Sequence, residues 1–567
     1  MEGVNPLLPL MSKIEREIFD LWKEFDPAAA FTLGIKESAG KMFIPVDKNI
    51  EAMKSKIKAT LNKTKAVNQR KLLECMNMAL DFREPHHVIS NARGAFFAHM
   101  VKEGINPDHM LTLIENTRRA IDASKEKLRG MKWATETKII ACQSCDELKG
   151  LLKTIVTETK DERLKAELGE LIKVVDDYRN TFLVEGLAEG DFTEVFPIIE
   201  KSVGDLGHRS VYPKILKYMF DYYETPKQIE DKALRQLKRE LPLFRDIIKR
   251  LAKAYGCEPT FEEVTKMIIR RSEIPKPKIM EYVLNIRKNI LKVLSKDLVG
   301  ITPKYDTRVI ETPSYLVNFI PTAATSAFNM LTDKPFSIFF LTTDEKRSPP
   351  AGAADMIQTI VHEETGHCVH FQNSATAFGG KPSIVDLLDS YLGYAISDAI
   401  SFHREYEFLR LLKNLAGKDQ DSLSPEEKNF LDAMRGGRDL SVVLLENEFI
   451  LMQWRQIRFL RAIFDSRVNM GKQTVAEFVK WGHQITGLQE KMIFNQTFMF
   501  LENVGYAPVY FIAGDALREI QEKAIKSGVN LVDFNTYATS IGYGARTVFE
   551  KMLKDYSKRK PNPKTTG

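Results

Sequence analysis

The sequence predicts a mostly α-helical protein that contains a small β element. Apolar side chains recur at three- and four-residue spacing over residues 11–26, as they do on a helix with one buried face. Two runs after residue 300, at residues 307–310 and 336–342, are rich in β-branched and aromatic side chains and therefore predict strands. The other segments with helical spacing are residues 49–62, 106–130, 162–182, 226–255 and 276–298.

The helices of the N-terminal half are interpreted as scaffold. None of them carries a cluster of residues that demands chemistry. Cys142 and Cys145 form a lone C-x-x-C, which without a second pair is more typical of ordinary helix residues than of a metal site. Loops are expected to separate these helices near four prolines, Pro107, Pro213, Pro242 and Pro259.

Composition and charge exclude several kinds of partner. Lysine plus arginine (82) nearly balance aspartate plus glutamate (76), and the formal net charge is only +6 over 567 residues. A charge this small argues against a nucleic acid or an anionic membrane as partner. The sequence has no run of about 18 apolar residues, so no membrane-spanning segment is expected.

The cysteines and the N-terminus indicate a cytoplasmic protein. The five cysteines are few and odd in number, which is typical of reduced thiols rather than of a disulfide framework. The first ten residues lack the basic start, apolar core and small-residue cleavage site of a signal peptide. We therefore expect a cytoplasmic location.

One short motif points to metal chemistry. His362, Glu363 and His367 lie in an apolar helical stretch, with the two histidines five residues apart. Zinc in a hydrolase takes three protein ligands and a water, and a glutamate beside the first histidine can accept a proton from that water. Histidines five apart are separated by about 140° on an ideal helix, so the helix must be distorted, for example by a π-bulge near Gly366. The alternative is an exposed helix with scattered polar residues, which the apolar neighbours of the motif disfavour.

The third ligand is expected from the next helix, predicted over residues 383–415. Asp398 and Glu405 lie seven residues apart, which is two helical turns, and therefore share one face. Tyrosine and serine side chains lie on the same face, which favours a helix that faces a groove. The alternative is that these acids lie on the surface of an amphipathic helix. From the residues alone, either Asp398 or Glu405 can be the third ligand.

These residues resemble motifs of known metallopeptidases. The segment from His362 to His367 has the spacing of the H-E-x-x-G-H motif of dipeptidyl peptidase III and is similar to the H-E-x-x-P-G-H motif of a large, poorly characterised helical family. Residues 366–370 look like the G-H-A-L-H of thimet-type oligopeptidases, and residues 505–514 are similar to a segment of the Taq-type metallocarboxypeptidases. The sequence thus resembles helical zinc metallopeptidases of the gluzincin type.

The resemblance implies a large, two-lobed, neurolysin-like helical body with a deep substrate channel and zinc on the channel floor. These families carry two acids seven residues apart on the helix after the motif, and the first of them is a zinc ligand. By this likeness Asp398 is the third ligand and Glu405 is a hydrogen-bond partner behind the ligands. Tyr510 is the first candidate to stabilise the oxyanion, by its place in the resembling segment, and Tyr506 is the second.

The two lobes are assigned from the change near residue 300, after which strand-like runs appear in an otherwise helical sequence. The N-terminal helical lobe is predicted over residues 1–300 and the catalytic helical lobe with the zinc site over residues 301–557. Residues 558–567 are basic and contain proline and glycine, which predicts a disordered tail.

The predicted function is zinc-dependent hydrolysis of peptide bonds in short peptides. Zinc bound by His362, His367 and an acid polarises a water, and Glu363 takes its proton and passes it to the leaving amine. Both oligopeptidase and carboxypeptidase action fit the motif. One alternative is a non-catalytic helical binding or scaffold protein that keeps a metal groove. The other is a zinc hydrolase that acts on a non-peptide amide.

Overall fold

The structure, a computed structural model, describes residues 8–190, 195–317, 320, 322–343 and 352–558. Helices dominate these residues, which confirms the prediction of a mostly α fold. The helices before the sheet are α1 (Lys13–Phe25), α2 (Pro27–Thr32), α3 (Asp47–Lys63), α4 (Val67–Asp81), α5 (Pro85–Glu103), α6 (Pro107–Leu128), α7 (Thr135–Glu158), α8 (Glu162–Asn180), α9 (Val195–Ile199), α10 (Tyr212–Tyr218), α11 (Pro226–Tyr255), α12 (Phe261–Ser272) and α13 (Ile279–Asp297).

The second group of helices follows the sheet and contains one π-helical segment, Val361–Cys368, which joins two α-helices without a break. The helices of this group are α14 (Ala353–Ile360), α15 (Val369–Ala375), α16 (Tyr391–Ala416), α17 (Pro425–Arg435), α18 (Leu440–Asn469), α19 (Val475–Thr486), α20 (Glu490–Phe498), α21 (Val509–Lys526), α22 (Leu531–Ala538) and α23 (Arg546–Ser557).

Three of the four prolines expected to interrupt helices do so. Pro107 and Pro213 lie in the first turns of α6 and α10, and Pro259 lies in the loop before α12. The break expected at Pro242 is wrong, because Pro242 lies inside α11. Its ring is exposed, and the apolar stripe of α11 packs along α18 on both sides of it. This packing offsets the cost of a proline inside a helix, about 3 kcal/mol, which comes from the lost backbone hydrogen bond and from the clash of the ring with the preceding turn.

The sheet has three strands, β1 (Thr307–Glu311), β2 (Ala323–Phe328) and β3 (Phe336–Leu341), in the order β1-β3-β2. β1 runs parallel to β3, and β2 runs antiparallel to it. β1 and β3 are the two strands that the sequence predicts. β2 was not predicted, because its alanines and serine lack the β-branched and aromatic character that favours strands. β2 lies at an edge of the sheet, beside the π-helical segment.

Two long helices, α16 beside this segment and α18 packed on α14 and α16, are buried on nearly every face. α16 packs against the π-helical segment, α18 and α21, and its buried residues include acids and an arginine as well as apolar side chains. α18 is buried in the same way and carries three buried arginines. A charged group removed from water needs a partner, so the buried polar residues of these two helices indicate a functional region.

The hydrophobic core crosses the predicted boundary at residue 300. Trp22 belongs to the same cluster as Ile396, and Phe244 belongs to the same cluster as Phe464. The assignment of separate lobes therefore stays a prediction. All five cysteines are free thiols. Among the residues that the structure describes, no helix is both long enough and apolar enough to cross a bilayer.

Candidate metal centre

The metal motif lies on the π-helical segment. In a π-helix the backbone hydrogen bonds join residues five apart, so side chains at that spacing come to nearly the same face. The rings of His362 and His367 accordingly lie with their centroids 4.9 Å apart and their planes at 82°. The predicted distortion of the helix is therefore confirmed.

The π-helical segment lies in very tight contact with α16 at Gly366. A Cβ atom built on Gly366 would lie 2.3 Å from Ser401 Oγ and 2.5 Å from Ser401 Cα, which is closer than real Cβ atoms come to any neighbour. Only glycine fits this contact. The close approach brings Asp398, one turn earlier on α16, toward the two histidines.

We expect Gly366→Ala to lower the free energy of unfolding by about 1–3 kcal/mol or more. The new methyl group meets a backbone atom of Ser401 that cannot rotate away, so α16 itself must move. Urea denaturation measures the change. Gly169→Ala on α8 is the matched control, because a Cβ there has nothing within 4 Å and alanine favours a helix. Unchanged stability of Gly366→Ala would contradict the tight contact.

Three candidate ligands converge on one point. Asp398 Oδ1 lies 3.8 Å from Nε2 of His362 and 3.6 Å from Nε2 of His367. The ligand atoms of all three residues lie within 4.8 Å of one another. Ligands bound to zinc at about 2.0–2.1 Å in a tetrahedron are about 3.3–3.4 Å apart. The observed distances therefore fit a zinc ion after a small contraction, and two imidazoles with one carboxylate leave a position for water.

Residues of α16 hold the other ring nitrogens of the two histidines. Nδ1 of His362 lies 2.6 Å from Glu405 Oε1, and Nδ1 of His367 lies 2.6 Å from Ser397 Oγ. A proton on each Nδ1 serves these contacts and leaves the lone pair of each Nε2 free for a metal. Asp398 thus lies at the common point, while Glu405 lies behind His362.

Two tyrosines of the C-terminal region adjoin Asp398. Tyr506 Oη donates a hydrogen bond to Asp398 Oδ2 at 2.6 Å, and Tyr510 Oη donates to Tyr506 Oη at 3.1 Å. Tyr506 is therefore engaged in orienting the carboxylate. The role in stabilising an oxyanion stays a prediction for both tyrosines. The geometry favours Tyr510 for it, because Tyr510 does not contact the carboxylate itself.

Burial controls the charges of the site. Burial and the nearby charge of His362 hold the pKa of His367 well below its usual value, so His367 is in the neutral form that binds metals. Burial also opposes the charged form of His362, but the hydrogen bond and charge of Glu405 outweigh it and raise the pKa of His362. Burial raises the pKa values of Glu363 and Asp398. A cation at the common point would offset the cost of burying these carboxylates.

Sequence reasoning missed the arginines of α18. Arg458 donates from Nη1 and Nη2 to the two oxygens of Glu405, both at 2.7 Å, and so forms a buried ion pair behind His362. Arg461 lies one turn further along α18, with its guanidinium carbon 5.6 Å from the centroid of the Tyr510 ring. The available signal was a set of arginines at three-residue spacing in a helix too apolar to be exposed.

The sequence also gave no role to the second glutamate of the motif. Glu364 is fully buried, and its carboxylate accepts hydrogen bonds from Arg287 Nε of α13 at 2.5 and 2.6 Å. Tyr305 Oη donates to the same carboxylate at 3.0 Å. Glu364 therefore fastens the π-helical segment to α13, whereas Glu363 lines the cavity beside the three candidate ligands.

A cavity of about 460 Å³, the main cavity, opens on this centre. The three candidate ligands and Glu363 line one part of it, and residues 324–328 of β2 line another. Its volume lies within the range of about 300–1,000 Å³ that is usual for small-molecule sites. A larger depression of about 930 Å³, beside Trp133, contains none of the candidate site residues.

Comparison with known proteins identifies the fold alone. No family model matches the sequence, and no curated protein matches it. The fold is similar to the crystal structure of a "putative lipoprotein" from Colwellia psychrerythraea, with a TM-score of 0.64, 11% identity, and coverage of 97% of this chain and 100% of that one. It is also similar to a "putative lipoprotein of unknown function" from Shewanella oneidensis, with a TM-score of 0.63, 15% identity, and coverage of 95% and 98%.

These findings correct the assignment made from the resemblance. The two neighbours that share the whole fold are described as lipoproteins, not as metallopeptidases. Membership of the gluzincin-type metallopeptidases is therefore wrong, and the classification as a hydrolase, protease, metalloprotease or carboxypeptidase that followed from it has no support in these structural neighbours. The physical reason is that a six-residue motif and a few short segments specify local geometry and leave the rest of the chain unconstrained.

Proposed function

We propose that the chain binds one zinc ion through His362, His367 and Asp398 and cleaves peptide bonds of short peptides with metal-activated water. The proposal rests on the site and not on family likeness. The observation that carries it is the convergence of three donor atoms beside Glu363 in a cavity of substrate size. A bound zinc ion supplies a water of lowered pKa and polarises the peptide carbonyl.

The residues around the ion have separate roles in this proposal. Glu363 accepts the proton of the water and passes it to the leaving amine, and the raised pKa that burial gives it suits a group that must take and return a proton. Tyr510 donates a hydrogen bond to the carbonyl oxygen as negative charge develops there. Glu405 holds the ring of His362, and Arg458 holds Glu405.

The substrate is proposed to be an extended peptide. β2 is an edge strand whose residues line the main cavity, so its backbone N–H and C=O groups can pair with a peptide laid beside it. A two-lobed, neurolysin-like body with a deep channel is part of the proposal. Such a channel admits short peptides and excludes folded proteins.

Two other functions use the same residues. A binding or scaffold protein that only holds a metal has no need of a glutamate beside the first histidine, so Glu363 favours catalysis. Hydrolysis of a non-peptide amide needs the same metal and base. The strand edge in the main cavity favours a peptide over such an amide.

The test combines metal analysis with digestion of a mixed peptide library, read by mass spectrometry. We expect about one zinc ion per chain, cleavage of short peptides, and no cleavage of native globular proteins. A chelator should abolish cleavage and zinc should restore it. The His362→Ala, His367→Ala double variant is the control that should lack zinc. Failure of the native chain to bind any divalent ion would refute the proposal, and zinc binding without cleavage would identify a binding protein.

A further inference from the structure

A second cavity of about 250 Å³, the arginine cavity, adjoins the metal centre from the side of α18. His362, Glu363 and Tyr510 line both this cavity and the main cavity. A substrate bound across the metal centre therefore places one end in the main cavity and the other end in the arginine cavity. The residues that line the arginine cavity determine which chemical group that end of the substrate presents.

Arg461 brings a positive charge without a carboxylate partner to this cavity. Arg461 is only 7% exposed. Nε donates to the backbone oxygen of Gln496 at 2.8 Å and Nη2 donates to the side-chain oxygen of Gln496, so both acceptors are neutral. Across the described part of the chain Arg461 forms no ion pair, unlike Arg455 with Glu240. A carboxylate would stabilise a buried guanidinium of this kind more than neutral acceptors alone do.

The acids that face the arginine cavity do not supply this anion. Glu405 is engaged by Arg458 and by His362. Asp355 accepts a hydrogen bond of 3.4 Å from Trp454 Nε1, and burial raises the pKa of Asp355, which favours its neutral form. Glu363 is occupied as the proposed base.

Arg461 is also charged and held in place at neutral pH. Burial lowers the pKa of Arg461, but only to about 10. Its guanidinium carbon lies 4.4 Å from the centroid of the Phe500 ring, a cation–π contact that fixes the plane of the group. Nη1 donates no hydrogen bond within the described residues, so it is available to a ligand.

We infer that the arginine cavity receives a carboxylate of the substrate and that Arg461 binds it. The inference rests on the proposed function, since it places the carboxylate next to the bond that is cleaved. A free C-terminal carboxylate and the side chain of aspartate or glutamate present the same planar group to a guanidinium. Arg461 thus makes the site select its substrates by charge.

Calorimetry on the zinc-loaded Glu363→Gln chain tests this inference, because that variant is expected to bind peptides without cleaving them. Three matched short peptides are compared: one with a free C-terminus, its C-terminal amide, and the amide with an aspartate in place of a neutral residue. At least one peptide that carries a carboxylate should bind tenfold or more tightly than the neutral amide. Tighter binding of the peptide with a free C-terminus identifies the C-terminal carboxylate as the bound group. Tighter binding of the amide with an aspartate identifies a side-chain carboxylate.

Two further variants attribute the preference to Arg461. Arg461→Gln should remove it. Gln496→Glu should also remove it while Arg461 remains, because the new carboxylate occupies the guanidinium, and this variant adds an ion pair and so does not depend on tolerance of Arg461→Gln. Equal binding of all three peptides to Glu363→Gln, when the unsubstituted chain does cleave peptides, would overturn this inference alone. Absence of binding and of cleavage in the zinc-loaded chains would overturn the proposed function as well.

Discussion

Glu363→Gln is expected to lower turnover of a cleaved peptide by at least about 10²–10⁴-fold while the chain keeps its zinc. Glutamine has the size of glutamate but cannot accept a proton, and the three candidate ligands are unchanged. Turnover is measured with a peptide found in the library digest, and zinc content is measured on the same preparation.

The neighbouring glutamate offers a matched control for this prediction. Glu364→Gln is the same substitution one residue along, but Glu364 pairs with Arg287 and does not line the main cavity. We expect it to lower stability and to leave the proton transfer intact. Near-normal turnover in Glu363→Gln, or an equal loss in both variants, would contradict the role of Glu363 as base.

Glu405→Gln is expected to weaken zinc binding about 10–100-fold and to lower the free energy of unfolding by about 3–5 kcal/mol. The variant removes the charge that orients His362, and it leaves Arg458 buried without a counter-ion. Burial opposes the ionised form of Glu405, but Arg458 and His362 outweigh it and lower its pKa from 4.5 to about 2. The stabilisation is therefore fully present above pH 4.5 and is lost as the pH falls toward 2.

A second buried ion pair separates the two effects expected for Glu405→Gln. Glu240 of α11 pairs with Arg455, which lies on α18 as Arg458 does. Neither Glu240 nor Arg455 is a candidate ligand or contacts one by an ion pair. Glu240→Gln should therefore lower stability to a similar extent and leave zinc affinity unchanged. Competition with a chelator measures affinity, and urea denaturation measures stability. Equal zinc affinities in the two variants would show that Glu405 does not support the metal centre.

The helices were predictable because their signals are local. α11 occupies the predicted residues 226–255, where apolar residues recur at helical spacing and a proline and a glycine mark the two ends. β2 was not predictable, since its pairing with β3 comes from the fold and not from its own residues. The break expected at Pro242 failed for the same reason, because packing on α18 outweighs a local preference.

The residues of the candidate site likewise fall into those with a local sequence signal and those that only the fold brings together. The two histidines, Glu363 and the need for a π-helical distortion follow from one short stretch of sequence. The place of Asp398 required a spacing taken from other families. Arg458 and Arg461 belong to a helix that begins more than 70 residues after the motif, and only the folded chain brings them to the metal centre. Long-range partners of this kind leave no mark in the spacing of a single segment.

The π-helical segment also determines how the side chains of α15, which continues the same helix, are rotated about the helix axis. Each residue turns an α-helix by about 100°, so one surplus residue before α15 decides which side chains of α15 face inward. Gln372 and Asn373 are the residues so directed. Gln372 bonds to the backbone of Asp306 beside β1, and Asn373 bonds to the backbone of Thr302 and to the hydroxyl of Thr539 after α22. The same extra residue therefore aligns the two histidines and also directs the α15 side chains that bind the sheet region and the C-terminal helices to this helix.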